Sequence, residues 1–314
     1  MRLLLTSIVL GLAWFAAANI AASVLSWVAS RLLPGEGRAL AANVLLFLRL
    51  LPATAAILLV AVVFVPAHVL YEPAASDESF GAVLFAFAAL GVALLVRAGV
   101  RLFHVSCTAR QLRQWIIVPF ESNAGEAFEA QGFPGVSLAG VLRTRILVGS
   151  DVRAVLTPDE LDVAVAHERE HRLSFDNLKR CAMFCAPDLF GWTASAKMLE
   201  GMWRARAESQ ADVRAAAGDK ARAMHLASAL LKVARVAGRT PGTVQQAVWS
   251  PFHDPSLLET RVRRLVDDPS ARPPAATLSR RALAAAAGAA ATLWVSDAFY
   301  GIHRATEALI SLLP

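Results

Sequence analysis

The 314-residue chain is 56% hydrophobic and only 18% charged, with a mean hydropathy of +0.49. Soluble domains are rarely so apolar, so much of it must lie in a membrane or in a very large core. Its net charge of +6 comes from arginines beside apolar runs, not from a basic patch with interleaved aromatics, and this argues against a nucleic-acid partner.

In chain order, Leu3 to Ser30 carries no charge and exceeds the ~20 residues that span a bilayer. The run is too long for a signal peptide, and a second span follows it. Arg31 to Arg38 is a short loop containing Pro34 and Gly35. A second span is expected at Leu50 to Tyr71, entered through Arg49 and interrupted by Pro52 and Pro66, which membrane helices tolerate. After an acidic loop, Glu72 to Glu78, a shorter third span runs from Phe80 to Val96 and ends at Arg97 and Arg101. The positive-inside rule places Arg31, Arg38 and the cluster Arg97, Arg101, Arg110 and Arg113 in the cytoplasm, with Arg2 against it.

These features predict three transmembrane helices in residues 1–100 and a cytoplasmic domain in 101–278. A fourth helix follows in 279–303, with Trp294 and Tyr300 as interfacial anchors, and then a short tail in 304–314. Cys107, Cys181 and Cys185 all fall in the cytoplasmic part, where thiols stay reduced; Cys181 and Cys185, one helical turn apart, have the spacing to bind metal but read first as packing residues. Trp115 to Pro119 and Val136 to Val148 contain strand-like runs, the second reading as two short strands. A free strand edge beside the next helix would let a peptide add as an extended strand. Further helices are expected at Asp188 to Ala217, at Ala221 to Ala237 and, amphipathic, at Leu257 to Val266.

Thr157 to Asn177, TPDELDVAVAHEREHRLSFDN, organises this domain. Thr157 suits an N-cap, Pro158 the first helical position, and Glu160 completes a capping box. The helix so started carries His167-Glu168-x-x-His171, with both imidazoles on one face and Glu168 on the flank. Two histidines one turn apart can share a metal ion, and the carboxylate beside them can take a proton. Catalytic zinc normally keeps three protein ligands. Glu208 is the best third candidate, with Asp212 one turn later placed to accept a hydrogen bond from a ligand histidine. Asp176 either plays a similar role or caps the helix. His225, or an arginine of the Glu208 helix, is a candidate oxyanion stabiliser.

HExxH followed by ExxxD, set between three spans and a fourth, resembles the BlaR/MecR-type antirepressor metallopeptidases. The stretch from Pro134 through His171, Asp176-Asn177-Leu178, and LETRVRRL near the domain end resemble them as well. The resemblance implies a mainly α, multi-pass protein of a bacterial cytoplasmic membrane, with a zincin-like α+β domain facing the cytoplasm. It implies one zinc per chain on His167, His171 and Glu208, and Glu168 as general base. It also implies a cytoplasmic protein substrate such as a repressor, and a membrane sensor as partner. The beta-lactam receptors of that family carry an extracellular sensor after the fourth span, which residues 304–314 do not match. The charged residues inside HEREH also depart from the family pattern. HtpX/Ste24-type quality-control proteases share both motifs and stand second. A non-catalytic membrane scaffold stands third, but Glu168 argues against it, because a structural metal site needs no base.

Overall fold

A computed structural model of the protein describes residues 2–32, 40–71, 81–112, 117–133, 135–237, 249–251 and 257–267, with the single residues 301 and 304. The expected fourth span, 279–303, lies outside the described residues but for Gly301. The described chain is mainly helical with one small mixed sheet. Contacts divide it into two units. The first comprises residues 1–100, 185–200 and 276–314, and the second 101–184 and 201–275.

Three helices are long and apolar enough to cross a membrane: Thr6–Arg31, Ala42–Val69 and Ala82–Gln111. They lie in α1 (Arg2–Arg31), in α2 (Ala42–Leu58) continued through a π-helical turn (Leu59–Phe64) into α3 (Val65–Tyr71), and in α4 (Ala82–Leu112). Their outer faces carry exposed apolar side chains, among them Ile8, Leu25, Phe47, Leu58, Phe85 and Val96. Water would penalise such faces, whereas lipid would not. The π-helical turn lies just before Pro66, whose missing N–H removes a normal backbone bond. Gly91 lets α4 approach α1 closely, since a Cβ there would stand 2.5 Å from the Leu12 carbonyl oxygen.

The second span begins earlier than its apolar run suggests. α2 starts at Ala42, so Arg49 lies inside the helix instead of at its mouth, and is 1% exposed. The residues that neutralise it are remote in sequence. Its Nη1 donates to Asp188 Oδ2 at 3.0 Å and its Nε to Glu200 Oε1 at 2.5 Å. The third helix likewise continues through Arg97, which donates to the Asp188 carbonyl at 2.9 Å and stacks on Trp192. Asn19 of α1 donates to the Pro187 carbonyl and accepts from the Leu189 amide. Residues 185–200, expected in the cytoplasmic domain, are therefore tied by buried polar contacts to the spans. Asp188 is consequently not helical. A 3-10 turn (Phe190–Trp192) follows it, and α8 (Ala194–Ala216) starts only after Thr193, whose hydroxyl accepts from the Ala196 amide. A Cβ at Gly191 would stand 2.8 Å from an Arg49 nitrogen, so a side chain there would push on the Arg49–Asp188 pair.

Removing Arg49 would strand the Asp188 carboxylate, which is fully buried. Arg49→Met is expected to destabilise the protein by about 3–5 kcal/mol. Arg49→Met with Asp188→Leu should recover much of that loss, since the only carboxylate then left without its arginine among these partners, Glu200, is partly exposed to solvent. Thermal unfolding in detergent checks this, and equal melting of the single variant and wild type would refute it.

In the second unit the sheet order is β1 (Ile117–Ser122), β2 (Gly125–Ala130), β4 (Arg145–Gly149), β3 (Val136–Ala139), β5 (Trp249–Pro251). All neighbours are antiparallel except β2 and β4. The expected strands at 136–148 are present as β3 and β4. β3 is not an edge of this sheet, since its Leu138 faces Ile146 of β4 on one side and Ser250 of β5 on the other. One face of the sheet packs with α5 (Ser150–Val155), α6 (Pro158–Leu173), α9 (Lys220–Ala237) and α10 (Leu258–Asp267). The core they share includes Leu138, Ile146, Val163, Leu226, Leu230 and Leu265.

Candidate metal centre

α6 starts where its sequence says it should. Thr157 accepts from the Glu160 amide at 3.3 Å, and Glu160 accepts from the Thr157 amide at 2.8 Å. Glu160 also pairs with Lys232 at 2.7 Å and accepts from Ser228 at 2.6 Å, which ties the cap to α9. Burial alone would raise the Glu160 carboxyl, but these partners hold it below its usual value. Val163, Ala164 and Val165 are buried and anchor the helix under the sheet. His167, Glu168 and His171 then fall on the buried side, each 0% exposed. Arg169 and Glu170 face outward, with Arg169 donating to the Ala124 carbonyl and Glu170 lying 3.6 Å from Arg214. The charges inside HEREH are thus a solvated flank of a helix whose other side is buried.

α6 ends abruptly at Leu173. Phe175 takes a left-handed conformation, φ 55°, which costs a non-glycine residue about 1–2 kcal/mol. This turn starts α7 (Asp176–Cys185) at once and brings Asp176 back to His171, with Oδ2 2.8 Å from Nδ1. Asn177, next in the chain, donates to the carbonyls of Leu138 and Gly140 at 2.8 and 2.7 Å. Glu168 reaches the same strand, its Oε2 accepting from the Leu138 amide at 2.7 Å.

Glu208 and Asp212 come from α8 and are buried. Asp212 Oδ1 lies 3.0 Å from His167 Nδ1. Each imidazole thus has a carboxylate on Nδ1, which turns both Nε2 atoms toward Glu208. His167 Nε2 and His171 Nε2 are 3.1 Å apart, and Glu208 Oε2 is 3.3 and 3.5 Å from them. Zinc bonds of ~2.0–2.1 Å at tetrahedral angles put neighbouring donor atoms about 3.3 Å apart. The triangle therefore fits three corners of a zinc tetrahedron, from the two nitrogens and one oxygen that zinc accepts. Glu168 Oε1 is buried with no hydrogen-bond partner among the described residues, free to meet a proton.

The electrostatics separate the two glutamates. Burial, only partly offset by His171, His167 and the Leu138 amide, raises the Glu168 carboxyl. Burial would raise Glu208 too, but the charges of His171 and Arg261 outweigh it and hold that carboxyl well below its usual value. Asp212 falls to about 2, because Arg261 and His167 overcome its burial. Burial opposes a charged His171, yet Glu208 and the hydrogen bond to Asp176 push it up to about 10.

A metal on His171 must displace that proton. Zinc affinity is therefore expected to rise with pH until about 10, by up to tenfold per unit for one proton. The protonated His171 itself stabilises the metal-free fold fully below its unfolded value of about 6.5, and this contribution is lost as pH rises through about 10. Calorimetry in buffers of different ionisation enthalpy should count about one proton released per zinc near pH 8. An affinity flat in pH would contradict this.

Of the residues singled out in the sequence, His167, His171, Glu208, Glu168, Asp212 and Asp176 converge here. His225, half-buried on α9, is not among the groups that converge, nor are Cys181 and Cys185. Arg180 lies 3.3 Å from Glu208 Oε1, and Arg261 reaches both carboxylates. Arg261 carried a readable signal. It interrupts the apolar stripe Leu258, Val262, Leu265 of an amphipathic helix, so its charge had to face inward.

No protein-family model and no curated protein matches the chain.

Proposed function

We propose that the protein is a membrane-anchored zinc endopeptidase with a zincin-like site, cutting a cytoplasmic protein. The observation that carries this reading is the donor triangle of His167, His171 and Glu208, with a proton-accepting Glu168 beside it. A structural metal site would have no use for a buried carboxylate that binds no metal and keeps one oxygen unpartnered.

His167, His171 and Glu208 would hold the ion. Zinc, when bound, supplies a Lewis acid that polarises the scissile carbonyl and acidifies water. Glu168 takes the proton of the attacking water on Oε1 and returns it to the leaving amine. Its raised carboxyl suits both halves of that cycle, because an ordinary carboxylate would be a poorer acceptor near neutral pH. The Leu138 amide fixes the other oxygen, so the carboxylate turns little between the two transfers. Asp212 and Asp176 keep Nδ1 of each histidine occupied and Nε2 forward.

Arg31, Arg97 and Arg101, which follow the first and third apolar runs, favour a cytoplasmic position for the site, and the motif resemblance favours a bacterial inner membrane. The motif resemblance favours a repressor as substrate and a membrane sensor as partner. Incubating the purified full chain with a proteome-derived peptide library, with and without a zinc chelator, tests the reading. Chelator-sensitive cleavage with a recurrent sequence preference is expected. Identical peptide spectra in both samples would sink it.

A further inference from the structure

Among the described residues two arginines reach this centre, Arg180 and Arg261, and Arg261 touches both of its α8 carboxylates. It comes from α10 and is 5% exposed. Its Nε and Nη2 reach the two oxygens of Asp212 at 2.9 and 2.6 Å. Nη1 lies 3.1 Å from Glu208 Oε2, and Nη2 lies 3.4 Å from His167 Nε2. One planar group therefore touches a ligand carboxylate, a ligand imidazole and the carboxylate behind that imidazole.

We propose that Arg261 is a positioning residue of the metal centre: its fork fixes the plane of Asp212 against His167 and holds Glu208 toward the ion. The proposal rests on the reading that His167, His171 and Glu208 bind zinc. Asp212 has to present Oδ1 to His167 Nδ1, and that same oxygen receives Nη2. A carboxylate held at one oxygen can rotate about its last torsion, whereas a bidentate fork removes that freedom. Three donor atoms set 3.1–3.5 Å apart are useful to zinc only while they stay there.

Simple charge counting predicts the opposite outcome. A guanidinium this close to a dication repels it, so deleting the arginine would leave a more negative site and tighten metal binding. Positioning predicts weaker binding. The sign of the change decides between them, and catalysis need not be measured.

The test is a zinc competition titration against a chromophoric chelator, on the full chain in detergent, for wild type, Arg261→Gln, Arg261→Lys, Asp212→Asn and the Arg261→Gln/Asp212→Asn pair. Both Arg261 variants should raise the zinc Kd by about 10–100-fold, the usual loss when the support of a metal ligand is removed. Lysine should not rescue, because it keeps the charge and loses the fork. The double variant should be no worse than the poorer single, since both act through one contact. Wild-type or tighter zinc binding by Arg261→Lys or Arg261→Gln overturns the proposal, as do fully additive losses, while leaving the zinc reading intact. No zinc on wild type overturns both. Should the glutamine variant fail to fold by circular dichroism, the lysine variant decides.

Discussion

Glu168→Gln is expected to lower proteolysis by about 10²–10⁴-fold, the range attributed to a positioned general base, while about one zinc per chain is retained. The variant is close to isosteric, and its amide oxygen can still accept from the Leu138 amide that now meets Oε2 at 2.7 Å. Nothing in the packing has to change. What disappears is the buried, unpartnered Oε1 with its raised proton affinity. Because a carboxylate in this cavity is costly to bury, the variant should be at least as stable as wild type. Cleavage measured beside zinc content and melting temperature separates loss of a base from loss of structure. Equal cleavage by both proteins would remove Glu168 from the chemistry.

Glu208→Ala is expected to lose zinc by about two orders of magnitude or more in affinity, and His171→Ala by at least as much. Each substitution takes one corner from the donor triangle. Glu208→Ala has a second effect. The carboxylate now balances charge from His171 and Arg261, and without it two cationic groups face each other in a largely buried site. The metal-free variant should therefore be less stable than metal-free wild type at neutral pH. The difference should shrink as pH rises toward about 10, where His171 would lose its proton. Unfolding across that pH range, together with zinc content, checks both parts. Undiminished zinc in Glu208→Ala would mean that another residue supplies the third ligand.

The parts legible in the sequence were those fixed by local chemistry. The capping box of Thr157 and Glu160, the one-turn spacing of His167 and His171, and that of Glu208 and Asp212 all follow from helix geometry, and the structure places them accordingly. The long apolar helices were legible from hydropathy, though their ends were not. The uncharged run from Leu50 puts Arg49 at its mouth, and only the contacts of Arg49 with Asp188 and Glu200 explain why α2 starts before it. Those partners stand about 140–150 residues further on, beyond any local signal.

Strand β2 was missed for a different reason. Gly125–Ala130 reads GEAFEA, with residues of low strand propensity, and its pairing with β1 and β4 overrides that preference. β5 was missed because three residues containing a proline carry no readable period. The amphipathic period of LETRVRRLV predicts the helix but does not by itself assign Arg261 a partner. An arginine in line with Leu258 and Leu265 implies a buried anion opposite, and Asp212 is that anion.

X-ray absorption at the zinc edge, on the zinc-loaded wild-type chain, tests the central claim most directly. The account predicts only nitrogen and oxygen neighbours at about 2.0–2.1 Å, with outer-shell scattering from two imidazole rings. Sulfur at about 2.3 Å, scattering from fewer than two imidazoles, or no stoichiometric zinc would contradict it.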